Sequence, residues 1–421
     1  MEFLKNLREF RTGEKRNEIL EALDYAFTSN SPELRVKSYL DKIGGLSASG
    51  KIIVIGFGKA ARGMYEGVRL GLGSKIKSAH LIIPYTPGQE IRPPFLPGNH
   101  PLPSFQSLSS SAVIMHSLKD LTNDDLLIVL ISGGGSSLFE VLREGVELEQ
   151  YNNTVRCLMK SGATIREINS IRYLFSETKG GGLLKYTNGS RVVGIIISDV
   201  PGDELGAIAS GPTAYPPEQS FIRRTVRKFG RKCNIPPISR VVGNEPKGAS
   251  NHIILRNSDF VKSVEEKLRV NGSEVLSLGS EIEGSTIEVS KRIAAEMREH
   301  YKIVKEPFFV VGGGETSVEV AGNGRGGRNL ELCLRFLLEM GKEEYFTFGS
   351  FGTDGLDGSS GAMGAIVDNQ SSGSLDKGFI REMLSGSESL TPLRMTGDVI
   401  FTGPTGTNVA DVFIGYYAGT A

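Results

Sequence analysis

The chain has 421 residues, enough for two domains that each bury a hydrophobic core. Lysine plus arginine and aspartate plus glutamate both number 48, so the formal net charge is zero, which argues against nucleic acid or an anionic membrane as a partner. No apolar run approaches the roughly 18 residues of a membrane span, and segment 1–21 lacks the apolar core of a signal peptide. Cys157, Cys233 and Cys333 fit no zinc spacing and indicate no disulfide framework, so we expect a cytoplasmic protein.

In the first half of the chain, helical apolar spacing alternates with short apolar runs that are typical of buried strands. A helix is expected to begin at Pro32 with Ser31 as its N-cap, and the other predicted helices cover residues 14–29, 107–118, 148–161, 165–174 and 221–232. The predicted strands cover residues 51–55, 79–83, 126–131 and 192–197, with a loop over 84–104. This order predicts a mostly parallel sheet that is covered by helices on both faces.

The best candidate for a linker is segment 234–239, which contains Pro236 and Pro237 and divides the chain into domains of residues 1–235 and 236–421. The alternation resumes beyond it. The predicted strands there cover residues 252–255, 274–278, 307–311, 345–350, 399–401 and 409–416, and the predicted helices cover 259–270, 285–301 and 330–340. We therefore expect an α/β protein of two domains.

The first strand runs into Gly56-Phe57-Gly58-Lys59-Ala60-Ala61, a glycine turn at the start of a helix. Gly56 and Gly58 fit a dinucleotide fingerprint. That fingerprint also needs an acid at the end of the second strand, where this chain has Ile83 and Pro84. Because Lys59 places a positive charge in the turn, we favour a site for a reacting phosphate over a nicotinamide site.

The third strand ends in Ser132-Gly133-Gly134-Gly135-Ser136-Ser137. The backbone N–H groups and hydroxyls of such a loop suit nucleotide phosphates, although it lacks the Gly-Lys-Ser/Thr of a Walker A loop. Ser136 also lacks the glycine-flanked pattern of an esterase nucleophile. The alternative is a tight turn from strand to helix that binds no ligand.

Glycine is clustered in this chain, notably in segment 312–329, which directly follows the apolar run 307–311. The segment also contains Arg325 and Arg328, and a guanidinium group binds phosphate or carboxylate with a fixed fork of donors. A flexible surface loop is the alternative. The position after a buried strand favours an anion site, with the glycines allowing close approach to the ligand.

Three carboxylates follow strand ends inside glycine turns: Asp199, Glu315 and Asp354. A lone aspartate at such a place is usually an N-cap or a turn residue. Three of them, beside the cations above, indicate a site for phosphoryl transfer. Mg²⁺ bound with phosphates needs one or two carboxylates, and a further carboxylate orients or deprotonates the acceptor hydroxyl. His100 is interpreted as a structural or substrate contact rather than a base.

These motifs together resemble the MOFRL-containing glycerate 2-kinases over nearly the whole chain. The segments that carry the resemblance are 55–61, 97–104, 131–137, 198–213, 312–329, 352–358 and 402–408. The resemblance implies a Rossmann-like N-terminal domain with a mostly parallel sheet, a smaller C-terminal α/β domain with a MOFRL-type region at about 305–416, and an active site in the cleft between them. It also implies ATP- and Mg²⁺-dependent phosphorylation of D-glycerate to 2-phosphoglycerate, and it allows a homodimer.

The resemblance assigns roles to the residues above. Lys59 would contact the transferred phosphoryl group, and Arg328, with Arg325 near it, would bind phosphate or the glycerate carboxylate. Asp354 would act as the base or orient the acceptor hydroxyl, whereas Asp199 and Glu315 would bind Mg²⁺ or substrate. The residues that the resemblance offers as candidates for binding ATP are Gly56, Gly58, Ser132, Gly133, Gly134, Gly135, Ser136 and Ser137.

Two departures from the family leave the selectivity among hydroxy acids open. Many relatives carry a Lys-His pair where this chain has Tyr173 and Leu174, and an acid where it has Gly361. One rival function is an NAD(P)H-dependent hydroxypyruvate reductase, against which the missing ribose-binding acid counts. The other is a non-enzymatic sugar-phosphate-binding protein, which would leave the strand-end carboxylates without a role.

Overall fold

The computed structural model describes residues 3–86, 88, 90–235 and 248–420. The chain divides into two compact units, one formed by residues 32–255 and the other by residues 1–31 together with 256–421. The predicted linker 234–239 lies mostly outside the described residues, so the boundary at 235/236 stays a prediction. Within the described ranges, no helix is long and apolar enough to cross a membrane.

The unit of residues 32–255 alternates strands and helices. The first helix of the chain, α1 (Glu14–Ser29), precedes it and belongs to the other unit. The helices of residues 32–255 are α2 (Pro32–Lys42), α3 (Ala61–Leu72), α4 (Phe105–Ser117), α5 (Gly135–Leu138), α6 (Leu148–Lys160), α7 (Ile165–Phe175) and α8 (Gln219–Phe229). The strands are β1 (Ile52–Phe57), β2 (Ile76–Pro84), β3 (Phe95–Gly98), β4 (Leu126–Ile131), β5 (Arg191–Ile197) and β6 (Ala249–Leu255).

These strands form one parallel sheet in the order β3-β2-β1-β4-β5-β6, which confirms the mostly parallel Rossmann-like sheet. All residues of β1 and β4 are buried, because helices cover both faces of the sheet. The strand order reverses between β1 and β4, and open α/β sheets bind ligands beyond the carboxyl ends of the strands at such a point. The loops that follow β1 and β4 are those with Lys59 and Ser132.

Strand β3 lies inside segment 84–104, which the sequence predicts as a loop. It pairs with β2 and forms one edge of the sheet. Pro97 is tolerated there because a residue on an edge strand need not donate to a further neighbour. The short length and the proline explain why the pattern of this strand is weak.

The expectation of no disulfide is wrong for Cys157 and Cys233, which are bonded to each other. Cys157 lies in α6 and Cys233 follows α8, and both helices pack against α7, which brings the two Cα atoms within 5.4 Å. The bonded residues are 76 positions apart, so no local spacing could reveal the pair. Cys333 is a buried free thiol.

The unit of residues 1–31 and 256–421 is built on a second sheet. Its further helices are α9 (Asn257–Val270), α10 (Thr286–Val304), α11 (Arg328–Glu339), α12 (Asn369–Ser374), α13 (Lys377–Ser385) and α14 (Leu390–Met395). Its strands are β7 (Val275–Ser277), β8 (Ile282–Ser285), β9 (Phe308–Ser317), β10 (Glu344–Gly352), β11 (Gly364–Asp368), β12 (Val399–Ile400) and β13 (Asp411–Thr420).

This second sheet is mixed rather than parallel. Its order is β12-β11-β10-β13-β9-β7, and β8 pairs with β9 as well. The pairs from β12 to β9 are antiparallel, whereas β7 and β8 run parallel to β9. The last strand of the chain, β13, therefore lies in the middle of the sheet between β10 and β9, and both α/β units of the predicted fold class are present.

The N-terminal segment is held in this unit by packing and by buried charge. Helix α1 packs against α9, and six of its residues are buried, including Arg16. The Arg16 guanidinium donates to Asp368 at 2.6 Å and to Asp398 at 2.6 Å. Because Arg16 and Asp398 are both almost fully buried, these ion pairs fix α1 to a unit that is otherwise made of the end of the chain.

The glycine-rich segment 312–329 is only partly a loop. Strand β9 continues through Gly312, Gly313 and Gly314 to Ser317, because β13 pairs with the glycines and β8 pairs with the end of the strand. A Cβ atom on Gly314, which has a φ of 147°, would lie 2.1 Å from the carbonyl oxygen of Ile282. These glycines therefore allow the strands to approach each other, which corrects the view that they are reserved for a ligand.

Candidate active site

The loops that follow β1 and β4 are bonded to each other. Lys59 N–H donates to the carbonyl of Gly133 at 2.9 Å, and Ala60 N–H donates to Ser132 Oγ at 3.1 Å. Gly58 has a φ of 131°, and a Cβ atom there would lie 2.1 Å from Ser132 Oγ. The absence of a side chain at Gly58 therefore lets the two loops approach each other.

The loop of residues 132–137 keeps several backbone donors available. Among the hydrogen bonds of the described residues, the N–H groups of Gly133, Gly134 and Ser136 have no acceptor. Gly134 adopts a left-handed conformation, with a φ of 81°. Successive N–H groups in a loop of this kind form an anion-binding concavity. Helix α5 is a single turn, so the donors of the loop rather than a helix dipole would attract the anion.

Lys59 and His100 flank this loop. A Cβ atom on Gly134 would lie 3.5 Å from Lys59 Cγ and 3.1 Å from His100 Cδ2. The structure therefore brings together the lysine and the serine-glycine loop that the sequence singles out. It also places His100 beside them, as the contact interpretation requires.

A second serine, which the sequence pattern does not single out, contacts the same loop. Ser210 Oγ lies 2.9 Å from Ser136 Oγ and donates to Asn169 Oδ1 at 2.8 Å. Ser210 belongs to segment 198–213, one of the segments that carry the family resemblance. Asp199, the second residue of that segment, is half-buried and lies two positions after the end of β5, the strand next to β4.

Arg328, the first residue of α11, is the centre of a charge network in the other unit. Its Nε and NH2 atoms donate to Asp411 at 2.5 Å and 3.0 Å, and its NH1 atom donates to Glu315 at 2.5 Å. Burial opposes the charge of Arg328, but the carboxylates of Asp411 and Glu315 outweigh it and raise the pKa of Arg328 further. This guanidinium is therefore charged at every accessible pH, and Asp411 holds it from the fully buried side.

The start of α11 is fixed by Asp357. The Asp357 carboxylate accepts from the N–H groups of Asn329 at 3.1 Å and Leu330 at 2.9 Å, so it caps the helix in place of Gly327. The Asn329 amide also donates to Asp411 at 3.1 Å. Burial raises the pKa of Asp357 to about 6 in spite of the two N–H groups, which favour its charged form.

Asp354 and Arg325 relate differently to this network. The Asp354 carboxylate accepts from Leu356 N–H at 3.0 Å in the turn after β10. A Cβ atom on Gly352 would lie 3.4 Å from both Asp354 Oδ1 and Asn329 Nδ2, so Asp354 lies beside the Arg328 network. Arg325 is exposed, and its described hydrogen bonds are made by its backbone, with Glu388 among others. The expectation that Arg325 lies near Arg328 and shares its anion stays a prediction.

The Mg²⁺-binding roles of Asp199 and Glu315 stay predictions. Glu315 is engaged in the ion pair with Arg328, and Asp199 belongs to the other unit. Over the described ranges, no group of three or more His, Cys, Asp or Glu side chains could hold a metal ion. Mg²⁺ that is bound together with phosphates needs only one or two protein carboxylates, so either residue would fit that chemistry.

Sequence reasoning missed five polar residues that shape these two groups: Asn169, Ser210, Asn329, Asp357 and Asp411. Asp357 and Ser210 lie in segments whose resemblance to the family was visible. Asp411 is the first residue of an apolar strand, and no motif in the sequence marks it as a functional residue. Of the positions that depart from the family, Tyr173 and Leu174 are buried in an apolar cluster, and Gly361 faces open space.

The chain matches two known families. Residues 18–241 match a domain of unknown function (DUF4147), and residues 308–411 match the MOFRL family. The chain is 36% identical to a glycerate 2-kinase of Picrophilus torridus, over 98% of this chain and 99% of that protein. It resembles the crystal structure of a glycerate kinase from Thermotoga maritima, with 30% identity, a TM-score of 0.81 and coverage of 96% and 99%. A protein of Agrobacterium vitis, provisionally named hydroxypyruvate reductase, is 33% identical over 86% of this chain and 98% of its own.

Proposed function

Because this chain belongs to the family of MOFRL-containing glycerate 2-kinases, we propose that it transfers a phosphoryl group from ATP to D-glycerate and forms 2-phosphoglycerate and ADP. The observation that carries the proposal is the loop of residues 132–137. Three of its N–H groups lack an acceptor among the described residues, and Lys59 lies alongside. Such a set of donors with a lysine side chain alongside suits the phosphates of a nucleotide.

Five of the predicted residues have specific parts in this proposal. Lys59 stabilises the negative charge on the transferred phosphoryl group, and Arg328 binds a phosphate or the glycerate carboxylate. Asp354 orients or deprotonates the hydroxyl that receives the phosphate. Asp199 and Glu315 are the candidates for holding Mg²⁺, which would neutralise phosphate charge when bound.

The hydroxypyruvate reductase reaction is the weaker candidate. Strand β2 ends at Pro84 without the acid that holds the ribose of a dinucleotide. A reductase would consume NADH in the presence of hydroxypyruvate, which the absorbance of NADH would report. Kinase activity without NADH oxidation would decide between the two candidates.

The test is ³¹P NMR of the purified protein with ATP, Mg²⁺ and D-glycerate. We expect ATP to be converted to ADP and a phosphate resonance that matches authentic 2-phosphoglycerate. Lys59→Ala and Arg328→Ala should each lower turnover about 10²–10³-fold with an unchanged circular dichroism spectrum. Lys77→Ala, at an exposed lysine of β2, is the matched control. Near-normal turnover in both site variants would refute the assigned roles, and 3-phosphoglycerate as product would refute the regiochemistry.

A further inference from the structure

A chain of hydrogen bonds leads from a buried arginine to the hydroxyl of Ser136. Arg172 NH1 donates to Asn169 Oδ1 at 3.1 Å, and Ser210 Oγ donates to the same oxygen at 2.8 Å. The Asn169 amide nitrogen donates to the carbonyl of Ala207 at 3.1 Å. Ser210 Oγ then lies 2.9 Å from Ser136 Oγ. Arg172, Asn169 and Ser210 are all buried, so bulk water does not compete for these bonds.

The direction of each hydrogen bond in this series follows from whether its groups can donate or accept a proton. A guanidinium only donates, so the Asn169 atom that faces Arg172 must be the carbonyl oxygen, and the bond to Ala207 requires the same orientation. That oxygen only accepts, which means that the single proton of Ser210 is used toward Asn169. Ser210 can then only accept from Ser136. Ser136 therefore donates its single proton to Ser210, and the lone pairs of Ser136 Oγ that remain can only accept.

Surrounding contacts hold Ser210 in this arrangement. Ser210 has a φ of 61° and follows Ala209 with a φ of 50°, a left-handed conformation that residues with a side chain rarely adopt. Gly180 N–H donates to the Ser210 carbonyl at 3.0 Å, next to the fully buried Lys179. Strained backbone that is held by buried contacts occurs preferentially at functional sites.

We infer that Ser136 Oγ accepts a hydrogen bond or coordinates a cation from the bound ligand, rather than donating to a phosphate oxygen. The phosphate oxygens are left to the N–H groups of Gly133, Gly134 and Ser136. Two parts of the substrates have the required chemistry, namely the hydroxyl of the acceptor alcohol and the divalent cation that accompanies the nucleotide. The identity of these ligands rests on the proposed function, whereas the direction of the hydrogen bonds does not.

The first measurement is the affinity for metal-free ATP, in excess chelator, of the wild type and of Ser136→Ala. If Ser136 does not donate to phosphate, the two dissociation constants agree within about twofold. If it does donate, Ser136→Ala loses a hydrogen bond to a charged group and binds about 10-fold or more weakly, which overturns the inference. Should the wild type bind no ATP, the proposed function fails rather than the inference, and inorganic phosphate serves as the probe in the same comparison.

The second measurement separates the two ligands. Ser136→Cys should bind Cd²⁺–ATP more tightly relative to Mg²⁺–ATP than the wild type does if Ser136 Oγ contacts the cation, because a thiolate prefers the softer metal. If it contacts the alcohol, Ser136→Ala raises the KM for D-glycerate about 10-fold or more, with no change in metal preference. A Ser136→Ala protein with unchanged affinity for cation and D-glycerate would overturn the inference.

Asn169 tests the positioning role. Asn169→Asp keeps an acceptor for Ser210 and Arg172, so the hydroxyl of Ser136 stays an acceptor and the metal-free affinity for ATP stays near wild type. Asn169→Leu releases the proton of Ser210 and lets Ser136 turn toward the ligand, so metal-free ATP should bind more tightly. Equal affinities in these two variants, with both folded by circular dichroism, would contradict the directional chain.

Discussion

The Arg328–Asp411 pair allows a quantitative test in the unit that contains α11 and β13. Asp411 is fully buried and accepts two bonds from Arg328 and one from Asn329. Asp411→Asn removes the buried negative charge and leaves Arg328 with Glu315, a partially exposed partner. Breaking a buried ion pair by removing one partner costs about 3–5 kcal/mol, because the other charge remains desolvated. We expect a loss of that size in the free energy of unfolding.

The assay is hydrogen exchange with mass spectrometry on peptides from α11 and β13, since exchange reports the opening free energy of this region separately. Asp411→Asn and Arg328→Met should each lower it by about 3 kcal/mol or more, while the double variant should lose at least about 2 kcal/mol less than the sum. Arg325→Met is the matched control because its side chain is exposed, and it should stay within about 0.5 kcal/mol. Additive losses, or a loss below about 1 kcal/mol for Asp411→Asn, would refute the reasoning.

Three further predictions concern stability. Gly58→Ala should cost about 3 kcal/mol and abolish kinase turnover, because a Cβ atom there meets Ser132, whereas Gly44→Ala, at a positive φ in open space, should cost about 1 kcal/mol by thermal unfolding. Burial raises the pKa of Asp357 in the folded protein to about 6, above its value in the unfolded chain. The protonated carboxyl group therefore stabilises the folded state fully below the unfolded pKa, and this stabilisation is lost as the pH rises through 6. Asp357→Asn should therefore gain up to about 3 kcal/mol relative to wild type between pH 4 and 7 in denaturant titrations, and a pH-independent difference would contradict this. Reducing the Cys157–Cys233 bond, which spans 76 positions, should cost up to about 4 kcal/mol, and Cys157→Ser should make the protein insensitive to reductant.

The elements that could be predicted are those whose sequence pattern has a single local cause. Strand β4 has the predicted limits 126–131, because both of its faces are buried and every position is apolar. Helix α1 has the predicted limits 14–29, because its apolar residues recur at helical spacing and form the face that packs on the protein. The proximity of the loops after β1 and β4 could also be predicted, because parallel strands present their carboxyl ends at the same edge of a sheet.

What could not be predicted depends on distant partners. The sequence shows glycines at 312–314 but not that β13 and β8 will extend β9 across them. Asp411 becomes important only because the strand that it opens lies between β10 and β9, where it reaches Arg328. The direction of the Ser136 hydroxyl depends on Asn169, which comes from a different helix. In each case, the deciding interaction joins residues that are far apart in the chain.

The placement of α1 has a consequence for how the protein is made. Residues 32–255 are inserted between α1 and the rest of its unit, and β13, at the far end of the chain, occupies the middle of that unit's sheet. During synthesis, the inserted residues can complete their sheet early, whereas the unit that contains α1 is complete only after the last strand has emerged. A fragment that starts at residue 256 would lack Arg16 and leave the buried Asp398 without this partner, so we expect it to be insoluble, while a fragment of residues 32–255 should fold alone.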